Sequence, residues 1–498
     1  MLSNVFQNGK RAWRVHGRRV VKGTFFPGED FLIMSTPNTE TNTRPWWKDL
    51  TKYHWFVFAM ACLAWMFDCL DQQLFILARN SAVLALSPAG TDPALIKQAG
   101  ANATSIFVAG WALGGLIFGA VGDKIGRAKT LTLTVLMYSL FTGLSAFATS
   151  VAMFEALRFL TGLGVGGVFG LSVALVADSL PDRARPHALG LLQALSAVGN
   201  VTAGLIAVFI GYLETFKIAP GSAWRGMFLI GALPAFLCVF IQIRLKEPEK
   251  WTKARAEGKI TGVKFGSYAA LLGDPRWRGR ALVGMVMCIS AVIGLWGIGF
   301  FSPELIGDVI GRSLKAEGIP PEKVPGYRTM WTGVNMIIQN IGAFAGMLVF
   351  TKLASRFGRK PVFAVGYVCA MLSTILVFKF LNDRSDIFWM IPLMGFFQLS
   401  LFAGFAIYLP ELFPVSLRST GTSFCYNVGR FIAASGPFFM GALTAWLASG
   451  ATTPEQKLEA FRNACCWMSG IFLLGLCALP FAPETKGRPL PEDTVAAK

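Results

Sequence analysis

The chain has 498 residues, 54% of them hydrophobic, with a positive mean hydropathy of +0.52. Soluble domains run at roughly 45 to 50% apolar, so an ordinary water-soluble protein is excluded and a bilayer is the natural medium. The formal charge of +18 does not point to nucleic acid, because Lys and Arg lie in loops between apolar segments; they suit a membrane surface.

Residues 1–52 carry a basic run from Lys10 to Lys22 and no apolar core long enough for a signal peptide. They are expected to form a disordered cytoplasmic tail; a translation start at Met34 is the alternative reading. Twelve apolar segments follow, each near the roughly 20 residues that cross a bilayer core. They are placed at Tyr53 to Leu77, Thr104 to Val121, Thr130 to Ala148, Ala152 to Leu175, Ala188 to Ile210 and Ala223 to Ile243 in the first half. In the second half they fall at Ala281 to Phe301, Thr332 to Phe350, Pro361 to Leu381, Ile387 to Tyr408, Thr420 to Leu443 and Ala464 to Ala482. None alternates as a barrel strand does, so the expected fold is all-α and integral to the membrane.

Of the 46 Lys and Arg, 32 fall at the termini and in the loops after even-numbered spans, against 12 on the other side. The excess places both termini in the cytoplasm. A polar connection over residues 245–279 divides a six-span bundle, 53–244, from a second, 280–482, and residues 483–498 form a C-terminal tail. The two bundles repeat one another. Asp123-Lys-Ile-Gly-Arg127 returns as Ser355-Arg-Phe-Gly-Arg359, and Asp178-x-x-Pro181-x-x-x-Arg185 returns as Glu411-x-x-Pro414-x-x-x-Arg418. Parallel repeats of this kind are an architecture of secondary transporters, whose halves rock about a site between them.

Ionisable groups inside spans are expensive unless paired or hydrated, so they are read as functional first. Asp68 and Asp71 lie three apart in span one, beside Gln72 and Phe75, and can share one helix face. Arg158 in span four stands above a stripe of Gly162, Gly166 and Gly170 that permits close helix approach. Arg430 lies halfway along span eleven, one turn after Asn427. Burial raises a carboxyl pKa and a neighbouring guanidinium lowers it, so such a pair can load and release a proton; a permanent ion pair that fixes packing is the competing reading.

Other classes lack their marks. There is no Gly-x-x-x-x-Gly-Lys-Ser/Thr phosphate loop for direct ATP drive, and Gly162-x-Gly164-x-Gly166 lies within a membrane helix with no strand before it. The His residues at 17, 54 and 187 have no metal-ligand spacing, and the nine Cys sit in or beside apolar segments. No nucleophile with its base is found, so an enzyme, a metal and a cofactor are not expected.

Gly119-Ala-Val-Gly-Asp123-Lys-Ile-Gly126-Arg127-Ala-Lys129 resembles the signature loop of the major facilitator superfamily. Arg158-x-x-x-Gly162-x-Gly164-x-Gly166, Glu247-Pro-Glu-Lys-Trp251 and Pro483-Glu-Thr-Lys-Gly487 are similar to marks of its sugar-porter and metabolite:proton symporter branch. The resemblance covers roughly Trp55 to Gly487. It implies a cytoplasmic gate in which Asp123 sits against Arg418 to Thr422 and Arg127 meets Asp178, with Arg185, Arg356, Arg359, Glu411, Arg418 and Glu484 completing it. A topogenic basic loop is the plainer alternative. Because Ser355 replaces the acid in the second copy, the lock is expected to be asymmetric, with Glu411 and Glu484 as substitute partners.

Asp68-Cys-Leu-Asp71 resembles the acidic signature of proton-coupled metabolite symporters, which implies proton coupling by Asp68, Asp71 and Arg158. Gln193, Trp296, Asn335, Gln339, Gln398, Asn427 and Arg430 are the expected solute-binding residues. Gln193 fits sugar-porter spacing, whereas span seven, Gly294-Leu-Trp-Gly-Ile-Gly-Phe300, lacks the paired Gln of sugar porters, and Arg430 suits a carboxylate. The expected function is alternating-access transport of a small organic metabolite by proton symport, leaning to a carboxylate. A sugar transporter, a uniporter and a non-transporting solute sensor are the alternatives. The expected partners are the solute, protons and the lipid bilayer, and a monomer can complete the pathway.

Overall fold

The computed structural model describes residues 4–7, 10–15, 18–23, 31–34, 45–215, 223–232, 244–298, 301–433 and 436–493. It divides into two units, Met1–Asp49 and Leu50–Lys498. In the first, where the sequence suggests a tail without fixed structure, four strands form an antiparallel sheet in sequential order: β1 Asn4–Gln7, β2 Lys10–Val15, β3 Arg18–Gly23 and β4 Phe31–Met34. Pairs such as Trp13 with Val20 and Val21 with Ile33 oppose one another, an aromatic and β-branched content that favours pleated backbone.

The second unit is helical. Its first half contains α1 Lys52–Leu86, α2 Pro93–Ile125, α3 Arg127–Ser145, α4 Val151–Ser179, α5 Arg185–Thr215 and α6 Ala223–Gly231. The connection holds α7 Glu249–Thr261 and α8 Tyr268–Gly273. The second half begins with α9 Pro275–Val292, which runs on as a π-helix over Ile293–Ile298, then α10 Ser302–Ala316, α11 Val324–Phe357, α12 Arg359–Phe380 and α13 Arg384–Leu412. It ends with α14 Arg418–Ala433, α15 Gly436–Leu447, α16 Pro454–Met468 and α17 Ile471–Ala478.

Among the described residues, nine helices are long and apolar enough to cross a bilayer. The other three expected spans have physical reasons for falling short. Span three, α3, is diluted by Thr130, Thr132, Thr134, Ser139, Thr142 and Ser145, all buried inside the bundle. Span eleven is divided between α14, whose inward face is polar, and α15. In span six only Ala223–Gly231 falls in α6, and residues 233–243 lie outside the described residues, as does Phe300 of span seven.

Helix starts follow local chemistry. Thr51 caps α1 in a reciprocal box with His54, Ser150 accepts from the Met153 N–H at the start of α4, and Asp274 precedes Pro275 at the start of α9. Gly126 and Gly358 separate α2 from α3 and α11 from α12 at equivalent points of the repeat, with φ of 125° and 105°. Both a left-handed φ and a tight approach require glycine there: an added Cβ would lie 2.3 Å from Glu247 Oε1 in the first copy and 2.8 Å from Glu484 Oε2 in the second. These two turns mark one end of the bundle, called here the motif face. The glycine stripe of α4 meets α2 closely; a Cβ on Gly162 would lie 2.3 Å from the Phe107 carbonyl oxygen and one on Gly166 2.1 Å from that of Trp111.

Candidate functional site: a charged lock and a buried central cluster

At the motif face the two halves are tied by Asp123. One carboxylate oxygen accepts from the Ser419 N–H at 3.2 Å, and the other from the Thr420 N–H at 2.8 Å and the Thr420 hydroxyl at 2.6 Å. A carboxylate at the first turn of α14 satisfies orphan amides and faces the positive end of the helix dipole. Arg127 lies 3.0 Å from Asp123 and 3.1 Å from Asp178, and donates at 2.6 Å to the Val415 carbonyl of the opposite half. Arg418 in turn pairs with Asp178 across the halves and donates to the Pro410 carbonyl at 3.2 Å. Asp123, Arg127, Asp178 and Arg418 are all fully or almost fully buried.

The second copy is built on the same plan within its own half. Arg359 makes a two-toothed contact with Glu411 at 2.7 and 3.1 Å, the counterpart of Arg127 with Asp178. Ser355, at the place of Asp123, donates to the Thr351 carbonyl of its own helix. Arg185, at the place of Arg418, pairs with Asp182 and donates to the Ala177 carbonyl at 3.0 Å. Among the described residues, the carboxylate bridge between halves therefore exists in one copy only. Arg356 lies over Phe357, and its carbonyl accepts from Lys486.

Two acids that follow the last span of each half share one role. Glu247 accepts from the Ala128 and Lys129 N–H groups at 3.2 and 3.0 Å, and Glu484 from those of Arg359 and Lys360, both at 3.0 Å. Desolvation works against the charged form of Glu484, but N–H groups of Arg359, Lys486, Lys360 and Thr485 outweigh it and hold the carboxyl below the usual glutamate range. Glu247 escapes a sequence-only reading that leaves its segment on the membrane face. Trp251 belongs to the lock as well: its indole N–H donates to the Asp123 carbonyl at 2.9 Å, and Arg127 stands over its ring.

Deeper in the first half, Asp71 and Arg158 are buried. Arg158 donates to the Ser145 hydroxyl at 2.5 Å and the Phe141 carbonyl at 3.3 Å, and its guanidinium is enclosed by Phe75, Phe154 and Phe228 at 5.5, 5.8 and 4.7 Å. Asp71 lies by Gly231 and Thr142, where a Cβ on Gly231 would approach its Oδ1 to 2.7 Å. Arg158 is its charged neighbour and the Thr142 hydroxyl its polar one, while Nε and Nη1 of Arg158 are unsatisfied. Spans one, three, four and six supply the lining.

Asp68 points elsewhere. Its Oδ2 accepts from Gln72 at 2.8 Å, and its charged neighbours are Asp71 and Arg430 of the opposite half. Arg430 is held between two rings, 3.8 Å from the Trp111 centroid and 4.3 Å from that of Tyr426, one from each half. Its Nη1 donates to Asn427 Oδ1 at 2.8 Å, and its Nε has no partner. Asn427 donates to the Ser423 carbonyl and sits against Gly115, where a Cβ would lie 2.1 Å from its amide nitrogen. Phe169 stacks on Tyr426 at 3.9 Å, and Trp296 in the π-helical turn meets Trp111 edge-on at 5.4 Å. π-Helical turns recur at functional sites, and this one lies beside the guanidinium clamp.

The remaining expected solute contacts divide. Gln193 and Asn335 are buried with unsatisfied side-chain oxygens. Gln398 donates to the Thr374 hydroxyl at 2.6 Å, which turns it toward span nine inside the second bundle. Gln339 packs against Gly395 of span ten. Asn340, beside it, accepts from Asn200 at 2.9 Å and so links the halves.

The comparisons agree with this architecture. A family model described as Major Facilitator Superfamily matches residues 56–321 and 326–497. A Haemophilus influenzae protein named for metabolite transport is 29% identical over 449 residues, covering 89% of this chain and 99% of that protein. The cis,cis-muconate transport protein of Acinetobacter baylyi is 26% identical, covering 79% and 88%. The proton:xylose symporter bound to 6-bromo-6-deoxy-D-glucose superposes with a TM-score of 0.65 at 18% identity, over 88% of this chain and 98% of that one.

Proposed function

This chain belongs to the Major Facilitator Superfamily, and on that premise we propose that it moves a small organic carboxylate across the membrane by alternating access, coupled to protons. It is a multi-pass integral membrane protein of a transporter family. The observation that carries the solute class is Arg430, a buried guanidinium clamped between Trp111 and Tyr426 with Nε unpartnered. Two flat rings fix the guanidinium plane, so a carboxylate meets preset donors and a conjugated one can extend along the aromatic walls. A relative named for cis,cis-muconate transport supports that class.

Asp71 is the coupling acid in this reading. Its buried carboxylate and the unsatisfied edge of Arg158 form a pair whose separation can change with the state of the halves, which is what proton loading requires. Asp68 links that pair to Arg430, so solute charge and proton charge act on one another. The motif face is the cytoplasmic one, as its basic loops suggest, and the Asp123–Thr420 bridge locks it shut. A sugar is the second reading, favoured by the open side-chain oxygens of Gln193 and Asn335.

A thermal-melting screen of purified protein against small organic acids and sugars, repeated on Arg430→Ala, tests the proposal. Carboxylates raise the melting temperature of wild type and not of the variant. Stabilisation by sugars alone, unchanged in the variant, overturns the carboxylate reading.

A further inference from the structure

A cavity of about 540 Å³ opens at the motif face, away from the central cluster. Its walls come from the start of α9 and from the tail that follows span twelve, and they include Arg276, Trp277, Arg280 and Arg488. Trp277 is buried, with the Arg276 and Arg280 guanidinium groups over its ring at 4.3 and 5.1 Å. The indole thus gathers two cations at one wall. Arg276 pairs with Asp274 at 3.3 Å, and Arg280 donates to the Leu412 carbonyl at 3.0 Å.

Three Arg and three Glu line the cavity, and the like charges crowd around Arg280. Arg280 has Arg276 and Arg488 as its charged neighbours, an arrangement that costs energy unless an anion intervenes. Of the cavity's own acids, Glu411 and Glu484 are occupied and Glu492 stands at the exposed rim. Glu411 is taken by Arg359 and by the Thr485 hydroxyl, Glu484 by backbone N–H groups, and Glu492 is exposed.

We propose that this arginine-lined cavity binds a phosphate-bearing anion. A guanidinium group matches phosphate oxygens two at a time, and three of them line this cavity. The volume is in the range of about 300 to 1,000 Å³ typical of small-molecule sites, larger than one inorganic phosphate needs. Its place at the mouth of a membrane span suits a lipid headgroup, and its opening at the face suits a soluble polyphosphate; the chemistry is shared.

Occupancy acts on the lock through the tail. Beyond Arg488 the chain reaches Asp493, which accepts from the N–H and hydroxyl of Ser416. Ser416 adjoins Val415, the residue that receives Arg127, and its carbonyl accepts from Gly266 of the connection. An anion that draws Arg488 toward Arg276 and Arg280 holds this strap across the face and favours the locked state.

The test compares the full-length protein with Arg276→Gln/Arg488→Gln and with Lys253→Gln, a control at an exposed position of α7. Melting is followed in nanodiscs of phosphatidylcholine with and without phosphatidylglycerol, and in detergent with and without ATP or pyrophosphate. Wild type and Lys253→Gln gain thermal stability from at least one phosphate probe, and the double variant loses most of that gain. A gain confined to phosphatidylglycerol assigns a lipid headgroup, and one confined to ATP or pyrophosphate assigns a soluble ligand. No gain with any probe, an equal gain in the double variant, or an equal loss in Lys253→Gln overturns the proposal.

Discussion

Replacing Asp123 by Asn keeps the side chain's shape and removes its charge. Asp123 accepts three hydrogen bonds from Ser419 and Thr420 of the opposite half. Bonds to a charged acceptor contribute about 1.5–3 kcal/mol and neutral ones about 0.5–1.5. Losing about 1 kcal/mol from two or three of them removes about 2–3 kcal/mol from the locked state, while the open state, with these groups in water, changes little. At about 1.4 kcal/mol per factor of ten, the equilibrium moves roughly 30- to 150-fold toward opening at the motif face. Spin labels at Lys124→Cys and Lys352→Cys, both exposed positions on that face, report the separation by pulsed electron resonance once the exposed thiol of Cys477 is replaced by Ser. A longer-distance population that dominates in Asp123→Asn is expected. If the distribution matches wild type to within about a factor of two, under roughly 0.5 kcal/mol, the bridge does not bias the cycle.

Three further outcomes follow from the same geometry. Ser355→Asp restores an acid to the second copy but leaves the Asp123 contacts with Ser419 and Thr420 in place, so the label distances stay those of wild type, and an altered label distance equal in size to that of Asp123→Asn would contradict the asymmetry. Gly115→Val drives a side chain into Asn427, whose amide nitrogen would lie 2.1 Å from an added Cβ, so solute affinity falls by about tenfold or more, in line with a lost charge-assisted bond, while membrane insertion persists; equilibrium binding on purified protein decides it. Glu247→Gln weakens the start of α3 by about 1 kcal/mol, the usual worth of an N-terminal cap. It lowers the melting temperature, and a variant that melts with wild type removes Glu247 from the lock.

Much of the charged cluster at the motif face is legible in the chain. The spacing of Asp123, Gly126 and Arg127, repeated at Ser355, Gly358 and Arg359, marked both tight turns, and the loss of the acid at Ser355 announced a one-sided bridge. Glu484 is legible as a substitute partner in the second copy but not as an acceptor of backbone N–H groups, and Glu247 is hidden, because that role depends on where the chain returns after the last span of each half. Periodicity placed Gln398 inside a span but not which neighbour it faces, and Thr374 is set by the crossing of spans nine and ten. The Phe75, Phe154 and Phe228 enclosure of Arg158 draws on three helices, so no local pattern signals it. Asp68 and Asp71 read as one pair because they are three residues apart; packing directs one to Arg430 and the other to Arg158.

The coupling of a carboxylate to a proton is tested most directly in proteoliposomes under an imposed pH gradient, with radiolabelled cis,cis-muconate as the first solute, in wild type and Asp71→Asn. Wild type concentrates the solute and the variant only equilibrates it, with exchange across the membrane retained. Uphill accumulation by Asp71→Asn equal to wild type would contradict the account.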